Sequence, residues 1–493
     1  MATSTAAQRR TRTRRLAVLV VAALTAAACS GARLDRSQQV AAGQAGRGSA
    51  NSNASGISSD GAVDSNEANT ANGGAAGGGT GVVNGTGTSG DPADAADGPS
   101  YISTLFGPDE DTKGITDSEI RLCAHAALTY GAAFNTSADD LNVYWTSVND
   151  AGGVYGRAVH TYYENDNYTP TDAVKAATAC RDKYDPFMLL GGIGFDQIPA
   201  VRNWAEQNRM LYFHHTATVN GSEGKQFSYT ALPTTEKAGE MFAELMTWKF
   251  PGKKVGIIKR QSENWEPGVD GFKRLAAQNG IQIVLDRPVP QNKGSYLQDI
   301  IDLRNAGADV VWLWLNALET TTFIKQSKAQ QFSPNFMVFP FNLTTQTLGD
   351  DALTPPITGI AMWNAYSQGD YSGPFADYAD DMKQFEDQYA KYRPSVDLSG
   401  VGGDLLFLNW SAQKAMHQLL LQCGPNCTRN RFLGVLYQFK QRVTSSSCTI
   451  DFTRSGPDND HRGGYELAVL EAYKAPSGKV NLHNIASCVE HLG

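Results

Sequence analysis

From residue 114 onward, short apolar segments alternate with amphipathic segments of helical period. The first apolar segments are "EIRLCAHAAL", "RAVHTYYEND", "PFMLLGG" and "MLYFHHT", and they are separated by "SADDLNVYWTSVNDAGG", "TPTDAVKAATACRDK" and "QIPAVRNWAEQNR". An apolar stripe at a spacing of three to four residues predicts a helix. A continuous apolar run predicts a strand that is buried on both faces. Regular strand–helix alternation predicts parallel sheets with right-handed crossovers.

The same alternation then starts again. Strands are predicted at "KKVGIIKRQ", "IQIVLDRPV", "DVVWLWLN" and "NFMVFPFN", with helices at "PGVDGFKRLAAQNG", "YLQDIIDLRNAGA" and "LETTTFIKQSKAQ". Each of the two series, at about 114–233 and 236–354, has the size of one doubly wound domain. The chain therefore builds one lobe and then a second.

The remainder of the chain does not form a third repeat. Two long helices, "DMKQFEDQYAKYR" and "LLFLNWSAQKAMHQLLLQC", precede "SCTIDFTRSG" and "YELAVLEAY", which we predict to be paired strands joined by a polar turn. We therefore predict an α/β fold of two doubly wound parallel-sheet lobes joined by a hinge, with a cleft between them. The first lobe comprises 114–234 and 356–455, and the second comprises 236–354 and 465–493.

The first hundred residues have a different character. The arginine-rich "RRTRTRR" is followed by the apolar "LAVLVVAALTAAA", a stretch short for a bilayer span, and then by Cys29. We interpret residues 1–28 as a lipoprotein signal peptide and Cys29 as the lipidated residue; an ordinary secretory signal with an incidental cysteine is the alternative. Residues 29–100 are rich in Gly, Ala, Ser and Asn, so we expect a disordered, low-complexity tether with a reach of roughly 45–50 Å.

Removal of the signal makes the protein more acidic. The whole chain has a net charge of −8, and residues 1–28 contain five arginines and no acid, so residues 29–493 carry −13. Nucleic-acid binding depends on a basic surface. The acidic balance therefore argues against a nucleic-acid partner.

Six cysteines remain once Cys29 is set aside. An even number outside the cytosol indicates disulfides, and six cysteines allow 15 pairings that sequence alone does not resolve. Proximity along the chain favours Cys123–Cys180, Cys423–Cys427 and Cys448–Cys488, and membership of one lobe supports the first two. A metal-binding or redox motif is the alternative interpretation of the "CGPNC" segment, but its CxxxC spacing and its turn residues favour a loop closed by a disulfide.

Other chemical motifs are weak. The adjacent pair His214–His215 would point to opposite faces of a strand and has no third ligand at a suitable spacing, so we expect no metal. The sequence contains no GxSxG, no HExxH and no phosphate-binding loop. We therefore expect no catalytic residues and no cofactor, and a secreted hydrolase is a minor alternative.

The order of segments resembles a known family: type I periplasmic solute-binding proteins, in the branch of leucine/isoleucine/valine-binding and amide-binding proteins that serve ABC importers. The resemblance covers about 114–480. It is carried by "GITDSEIRL", "SVNDAGGVYGRAV", "YENDNYTPTDAVKAATAC", "FSYTALPTTEKAGE" and "KKVGIIKRQSENWEPGVDGFKRLAAQNGIQIV". It implies a substrate-binding protein that closes on a small solute and docks on a permease with its ATPase.

The resemblance also implies where the solute would sit, because the family binds its ligand at strand exits on both sides of the cleft. Transferred to this chain, the contact positions are Tyr130, Phe134, Gly194, Phe195, His215, Thr216, Thr218, Trp265, Asn316 and Asn342. Trp265 as a loop cap and Phe195 as a core residue are the structural alternatives.

The same positions bear on the kind of solute. Amino-acid-binding relatives place a serine near Phe195 for the ligand carboxylate and an acidic residue near Asn342 for the amine, and neither is evident here. A buried zwitterion needs partners for both charges. We therefore expect an apolar or aromatic solute.

These implications define the expected function. We expect a solute-binding lipoprotein of an ABC importer, in the cell envelope and anchored by lipid to the outer face of the cytoplasmic membrane. The alternative is a surface ligand sensor of the same fold that passes its closed state to a signalling partner.

Overall fold

The computed structural model describes residues 104–130, 134–191, 197–214, 225–338, 347–399, 401–444, 447–454 and 461–492. The proposed signal peptide, Cys29 and the tether lie outside these ranges. The elements below are numbered in chain order within the described residues.

The first series of strands and helices follows the predicted alternation. A short helix α1 (Pro108–Asp111) is followed by β1 (Glu119–Ala126), β2 (Thr129–Tyr130), β3 (Phe134–Asn135), α2 (Ala138–Leu141), α3 (Val143–Asp150), β4 (Ala158–Asn165), α4 (Pro170–Tyr184), β5 (Met188–Gly191), α5 (Gln197–Asn208), β6 (Tyr212–His214) and β7 (Ser228–Thr230). The strands form a parallel sheet in the order β4-β1-β5-β6-β7.

The segment predicted as one helix over 137–153 is interrupted at Asn142. Ser137 and Asp140 form a capping box at the start of α2, and α3 begins directly after the interruption. The Asn142 side chain donates to the Thr161 carbonyl on β4 at 2.8 Å. Asparagine side chains that bond to backbone groups compete with helical hydrogen bonds, which accounts for the break.

The second series repeats the topology. It contains α6 (Thr235–Lys249), β8 (Val255–Arg260), α7 (Glu266–Gln278), β9 (Ile283–Val289), α8 (Leu297–Asn305), β10 (Val310–Trp314), α9 (Ala317–Ala329), β11 (Asn335–Val338) and β12 (Thr358–Ala361). Its parallel strands have the order β9-β8-β10-β11-β12. The buried run "VVWLW" of β10 is the middle one of these five parallel strands, as its apolar sequence predicts.

After β12 the chain returns to the first lobe with α10 (Ala379–Tyr392), α11 (Val401–Cys423) and α12 (Arg429–Tyr437), and then forms β13 (Lys440–Gln441), β14 (Ile450–Asp451), β15 (Leu467–Lys474) and β16 (Val480–Val489). The buried Arg429 side chain donates to the carbonyls of Pro186 and Phe187, both at 2.7 Å. Tyr389 donates to the Asp140 carbonyl at 2.5 Å. The returning helices are thus bonded to the first lobe.

Two sequence expectations are corrected here. The sequence pattern places residues 356–455 in the first lobe, but β12, at the start of that range, pairs with β11 of the second sheet. The predicted pairing of "SCTIDFTRSG" with "YELAVLEAY" is also wrong, because β15 pairs antiparallel with β12 and with β16. The strand β16 was not predicted, since the polar residues of "VNLHNIASCV" hide its alternation.

The disulfide prediction is confirmed in full. Cys123 joins Cys180, Cys423 joins Cys427, and Cys448 joins Cys488. The first bond ties β1 to α4 within the core on one face of the first sheet. The third ties the segment before β14 to the last strand of the second sheet.

Candidate ligand site

Both parallel sheets have the strand order 2-1-3-4-5 when their strands are counted along the chain. In such sheets the connections reverse direction beside the first strand, and ligands bind outside the carboxyl ends of the strands at that switch point. In the first lobe the switch point lies between the ends of β1 and β5, at Ala126 and Gly191. In the second it lies between β8 and β10, at Arg260 and Trp314.

A cavity of about 70 Å³ lies at the first switch point. It is bounded by the ends of β1 and β5, by α3 and by one side of α11. The described residues that line it are mostly apolar: Ala124, His125, Ala126, Ala127, Leu128, Thr136, Leu141, Trp145, Tyr163, Leu190, Gly191, Leu405, Leu406, Leu408, Asn409, Ala412, Gln413 and Met416. We call this space the first-lobe cavity.

His125 belongs to a buried polar network at one end of this cavity. Its Nδ1 lies 2.9 Å from Asp166 Oδ2 and its Nε2 lies 2.8 Å from the Tyr212 hydroxyl. All three side chains are fully buried. Burial raises the pKa of Tyr212 above its ordinary value, so the phenol stays protonated. The network links His125, near the end of β1, to the residue after β4 and to the first residue of β6, and so holds one of the two strand ends at the switch point.

A second polar group lies on α11. Gln413 Nε2 donates to the Leu141 carbonyl at 2.6 Å and to the Tyr163 hydroxyl at 3.1 Å, and Asn409 Nδ2 donates to the same carbonyl at 2.8 Å. Burial raises the pKa of Tyr163, which keeps this hydroxyl neutral as well. The sequence analysis did not identify Asn409 and Gln413. Two amide side chains four residues apart in an apolar helix lie on one face, and this pattern indicates a polar contact at that face.

The second switch point is built around Trp265, one of the predicted contact residues. Trp265 is 1% exposed, and its ring centroid lies 5.4 Å from that of Trp314 in an edge-to-face arrangement. Its carbonyl accepts a 2.8 Å hydrogen bond from Trp314 Nε1. The Arg260 guanidinium lies 5.7 Å from the Trp265 ring centroid. In this structure the indole packs within the second lobe, and its contact with a solute stays a prediction.

Asn316, also a predicted contact residue, caps α9. Its side chain accepts from the Glu319 amide at 2.8 Å, while the Glu319 carboxylate accepts from the Asn316 amide at 3.3 Å. Asn316 is 5% exposed. The side-chain oxygen of Asn316 is therefore engaged in a capping box.

The other predicted contacts are largely beyond what the structure describes. Gly194, Phe195, His215, Thr216, Thr218 and Asn342 lie outside the described residues. The backbones of Tyr130 and Phe134 pair with each other across β2 and β3. These roles stay predictions.

The two lobes are linked by three crossover segments: between β7 and α6, between β12 and α10, and between β14 and β15. A second cavity of about 60 Å³ is lined by residues of all three, among them Leu232, Trp363 and Gly464. The Thr230 amide at the end of β7 donates to the carbonyl of His461 in the third crossover at 3.0 Å. Trp363 of the second crossover forms a β-bridge with Ser447, which lies just before β14. The three crossovers therefore meet around this cavity.

Two further observations on the described residues concern metal binding and membrane-spanning helices. Cys448, Glu466 and Cys488 come within 4.8 Å of one another, but the two cysteines are joined as a disulfide and offer no thiolate pair. Among the helices that the structure describes, none combines the length and the apolar character needed to span a bilayer.

Comparison with known proteins agrees with this architecture. Residues 129–475 match the family model described as periplasmic binding protein. The Leu/Ile/Val-binding protein homolog 7 of Brucella melitensis is 21% identical over 232 residues, so the match spans 44% of this chain and 58% of the length of that relative.

Solved structures share the fold at low identity. A fatty acid ABC transporter substrate-binding protein from Thermomonospora curvata superposes with a TM-score of 0.59 at 14% identity, covering 78% of this chain and 96% of that one. A solute binding protein of an ABC transporter from Rhodopseudomonas palustris BisB5, in complex with 3,4-dihydroxy benzoic acid, gives 0.58 at 14%, covering 75% and 96%. With a family match over more than half of its length and two doubly wound sheets joined by three crossovers, this chain belongs to the periplasmic binding protein family, as a type I member.

Proposed function

We propose that this protein is the extracytoplasmic solute-binding component of an ABC importer, and that it captures a small apolar or aromatic solute between its lobes without altering it. Its partners are then the permease and ATPase subunits of that importer. We also propose that Cys29 is lipidated and anchors the protein at the outer face of the cytoplasmic membrane through the tether of residues 29–100. The family membership supports the extracytoplasmic location.

One observation carries the proposal: an apolar cavity lies at the switch point of the first sheet. Sheets of this strand order bind ligands outside the carboxyl ends of their first and third strands, which are β1 and β5 here. The relatives support the solute class in different ways, because one is named for branched-chain amino acids, one for fatty acids, and one holds an aromatic acid. The apolar lining of the cavity favours the latter two.

The proposed mechanism is rotation of the lobes about the crossovers. Each lobe has its own sheet, and three crossover segments connect them. A solute that contacts both lobes stabilises the closed form, and the shift is limited by its differential affinity for the closed and open forms. The ten contact residues predicted above belong to this proposal, with Trp265 and Asn316 at the second switch point.

The experiment combines a thermal-shift screen with X-ray scattering on the purified protein. The panel contains leucine, straight-chain fatty acids, benzoate and hydroxybenzoates. We expect at least one compound to raise the melting temperature by mass action and to reduce the radius of gyration. Scattering curves that coincide with and without every compound, or the appearance of a reaction product, would contradict the proposal.

A further inference from the structure

We infer that the Cys448–Cys488 disulfide is a fourth covalent link between the lobes and fixes the pivot about which they rotate. The other three links are the crossover segments of the main chain. The inference rests on the lobe rotation of the proposed function and adds the point about which that rotation takes place. It gives this disulfide a conformational role, whereas the other two disulfides each lie within the first lobe.

Cys448 is held on the first-lobe side of the hinge. It lies between β13 and β14, two short strands that pair with each other after α12. The ring centroid of Phe452, which follows β14, lies 6.2 Å from that of Phe213 on β6. The Phe452 amide donates to the carbonyl of Phe439, just after α12, at 2.9 Å. Since β6 and α12 belong to the first lobe, the segment that carries Cys448 packs on that lobe.

Cys488 belongs to the second lobe, where it lies in the last strand of the sheet. Around this residue the ladder is irregular, because β15 advances by two residues, from Leu467 to Val469, while β16 advances by three. The φ of Cys488 is 41°, a left-handed value that is uncommon for residues other than glycine. Bulges re-aim side chains, and backbone outliers of this kind cluster at functional positions. The backbone of β16 thus departs from regular geometry at the residue that forms the link.

The link lies where the crossovers meet. Cys448 lines the cavity of about 60 Å³ together with residues of all three crossovers. The amide of the neighbouring Thr449 donates to the carboxylate of Glu466, the last residue of the third crossover, at 2.9 Å. A carboxylate oxygen of Glu466 lies within 4.8 Å of both sulfur atoms. The disulfide therefore bridges the lobes at the hinge.

Covalent geometry determines which motions the link allows. The Cα atoms of Cys448 and Cys488 are 5.1 Å apart, and a disulfide keeps this distance between about 4.4 and 6.8 Å. The two positions can therefore separate by less than about 2 Å, whereas the main chain of the third crossover, residues 452–466, has a much longer reach. The lobes can rotate about the disulfide but cannot slide past each other there. The link thus favours hinge rotation over shear.

The test measures the distance between the lobes in the purified protein without added solute. Spin labels on noncanonical amino acids replace Lys175 of α4 and Lys325 of α9, which are exposed on different lobes, and pulsed electron paramagnetic resonance gives the distribution of their separation. In the double variant Cys448→Ala/Cys488→Ala this distribution should become at least about 1.4-fold wider, because sliding adds a second independent motion to rotation.

A matched control removes a disulfide that lies within one lobe. The double variant Cys423→Ala/Cys427→Ala lacks a link between α11 and the start of α12 and should keep the width of the wild type. Melting curves verify that both double variants fold. A wider distribution in the control by the same factor would overturn the inference, because the widening would then follow from the loss of any disulfide.

A second measurement leaves all cysteines in place. Cys488 is only partly buried, whereas the other five bonded cysteines are buried, so mild dithiothreitol should open Cys448–Cys488 first. The dithiol supplies two electrons and two protons and becomes a cyclic disulfide, and iodoacetamide then alkylates the two thiols, which mass spectrometry locates. The alkylated protein should show the same widening as the double variant.

The outcomes separate the pivot from the proposed function. An unchanged width in the double variant and in the alkylated protein would overturn the pivot and leave solute binding and lobe rotation intact. A reference pair of labels within the first lobe, at Lys175 and Lys391, gives the width without lobe motion. If the interlobe distribution of the wild type and of both altered proteins is no wider than this reference, the lobes do not move, and the pivot and the rotation are both refuted.

Discussion

We predict that His461, a buried residue of the third crossover, makes the free energy of unfolding depend on pH. The residue is 2% exposed, and its ring stacks on Tyr229 with centroids 4.6 Å apart, while Tyr437 meets it edge-on at 6.0 Å. Its carbonyl accepts from Thr230 where the third crossover passes β7. Burial lowers the pKa of His461 from 6.5 to about 4, against a smaller opposing effect of a hydrogen bond with the Ser228 backbone.

The sign follows from proton binding. In the unfolded chain the imidazole becomes protonated as pH falls through about 6.5, whereas in the folded protein it stays neutral until about pH 4. Between these values the unfolded state holds more protons, so the free energy of unfolding decreases as pH decreases. The full loss is about 3 kcal/mol below pH 4, and about 2 kcal/mol is already lost at pH 5 relative to pH 8.

The assay is urea unfolding followed by tryptophan fluorescence at pH 8 and pH 5, for the wild type and His461→Phe. Phenylalanine keeps the ring stacking and cannot be protonated. Lowering the pH from 8 to 5 should therefore reduce the unfolding free energy of the variant by about 2 kcal/mol less than that of the wild type. His160→Phe, at an exposed position of β4, is the control. Burial also lowers the pKa of His417 and His483, but both are common to all three proteins. Parallel pH dependence of the wild type and His461→Phe would refute the reasoning.

The remaining predictions concern stability. Replacing both cysteines of Cys123–Cys180 by alanine should cost about 4 kcal/mol, against about 2 kcal/mol for Cys423–Cys427, because the first closes a loop of 57 residues and the second a loop of 4; equal losses in urea unfolding would refute the loop-entropy explanation. Gly239→Ala should cost about 3 kcal/mol, because a Cβ on α6 would lie 1.7 Å from the Gly268 carbonyl oxygen on α7. Gly294→Ala, with no atom within 4 Å of the added Cβ, is its control, and similar melting temperatures for the two variants would contradict the close helix packing.

The fold was predictable where local pattern and burial agree. The apolar run of β10 is typical of a buried strand and the pattern of α4 is typical of an amphipathic helix, and the structure contains both. The break at Asn142 was not predictable, because it depends on a carbonyl of β4 that is distant in sequence. The pairing of β15 with β16 was missed for a different reason, since a partly exposed strand with polar residues shows little alternation of apolar and polar positions.

The candidate site was predictable only in its position. Parallel sheets place ligands at strand exits, and the cavity lies at one of them. Part of the cavity lining comes from α11, a helix in the part of the chain that follows β12 and returns to the first lobe. Only the tertiary structure brings Gln413 beside Tyr163, so a search confined to strand exits could not find the pair.

The interleaving of the lobes has a consequence for how the chain is made. β12 and β15 are neighbours in one sheet, but about 100 residues that separate them along the chain belong mainly to the other lobe. A growing chain that has passed β12 therefore exposes the edge of that strand until β15 has also been synthesised, and such an edge is prone to pair with another molecule. Export in an unfolded state, followed by folding of the finished chain, would avoid that hazard.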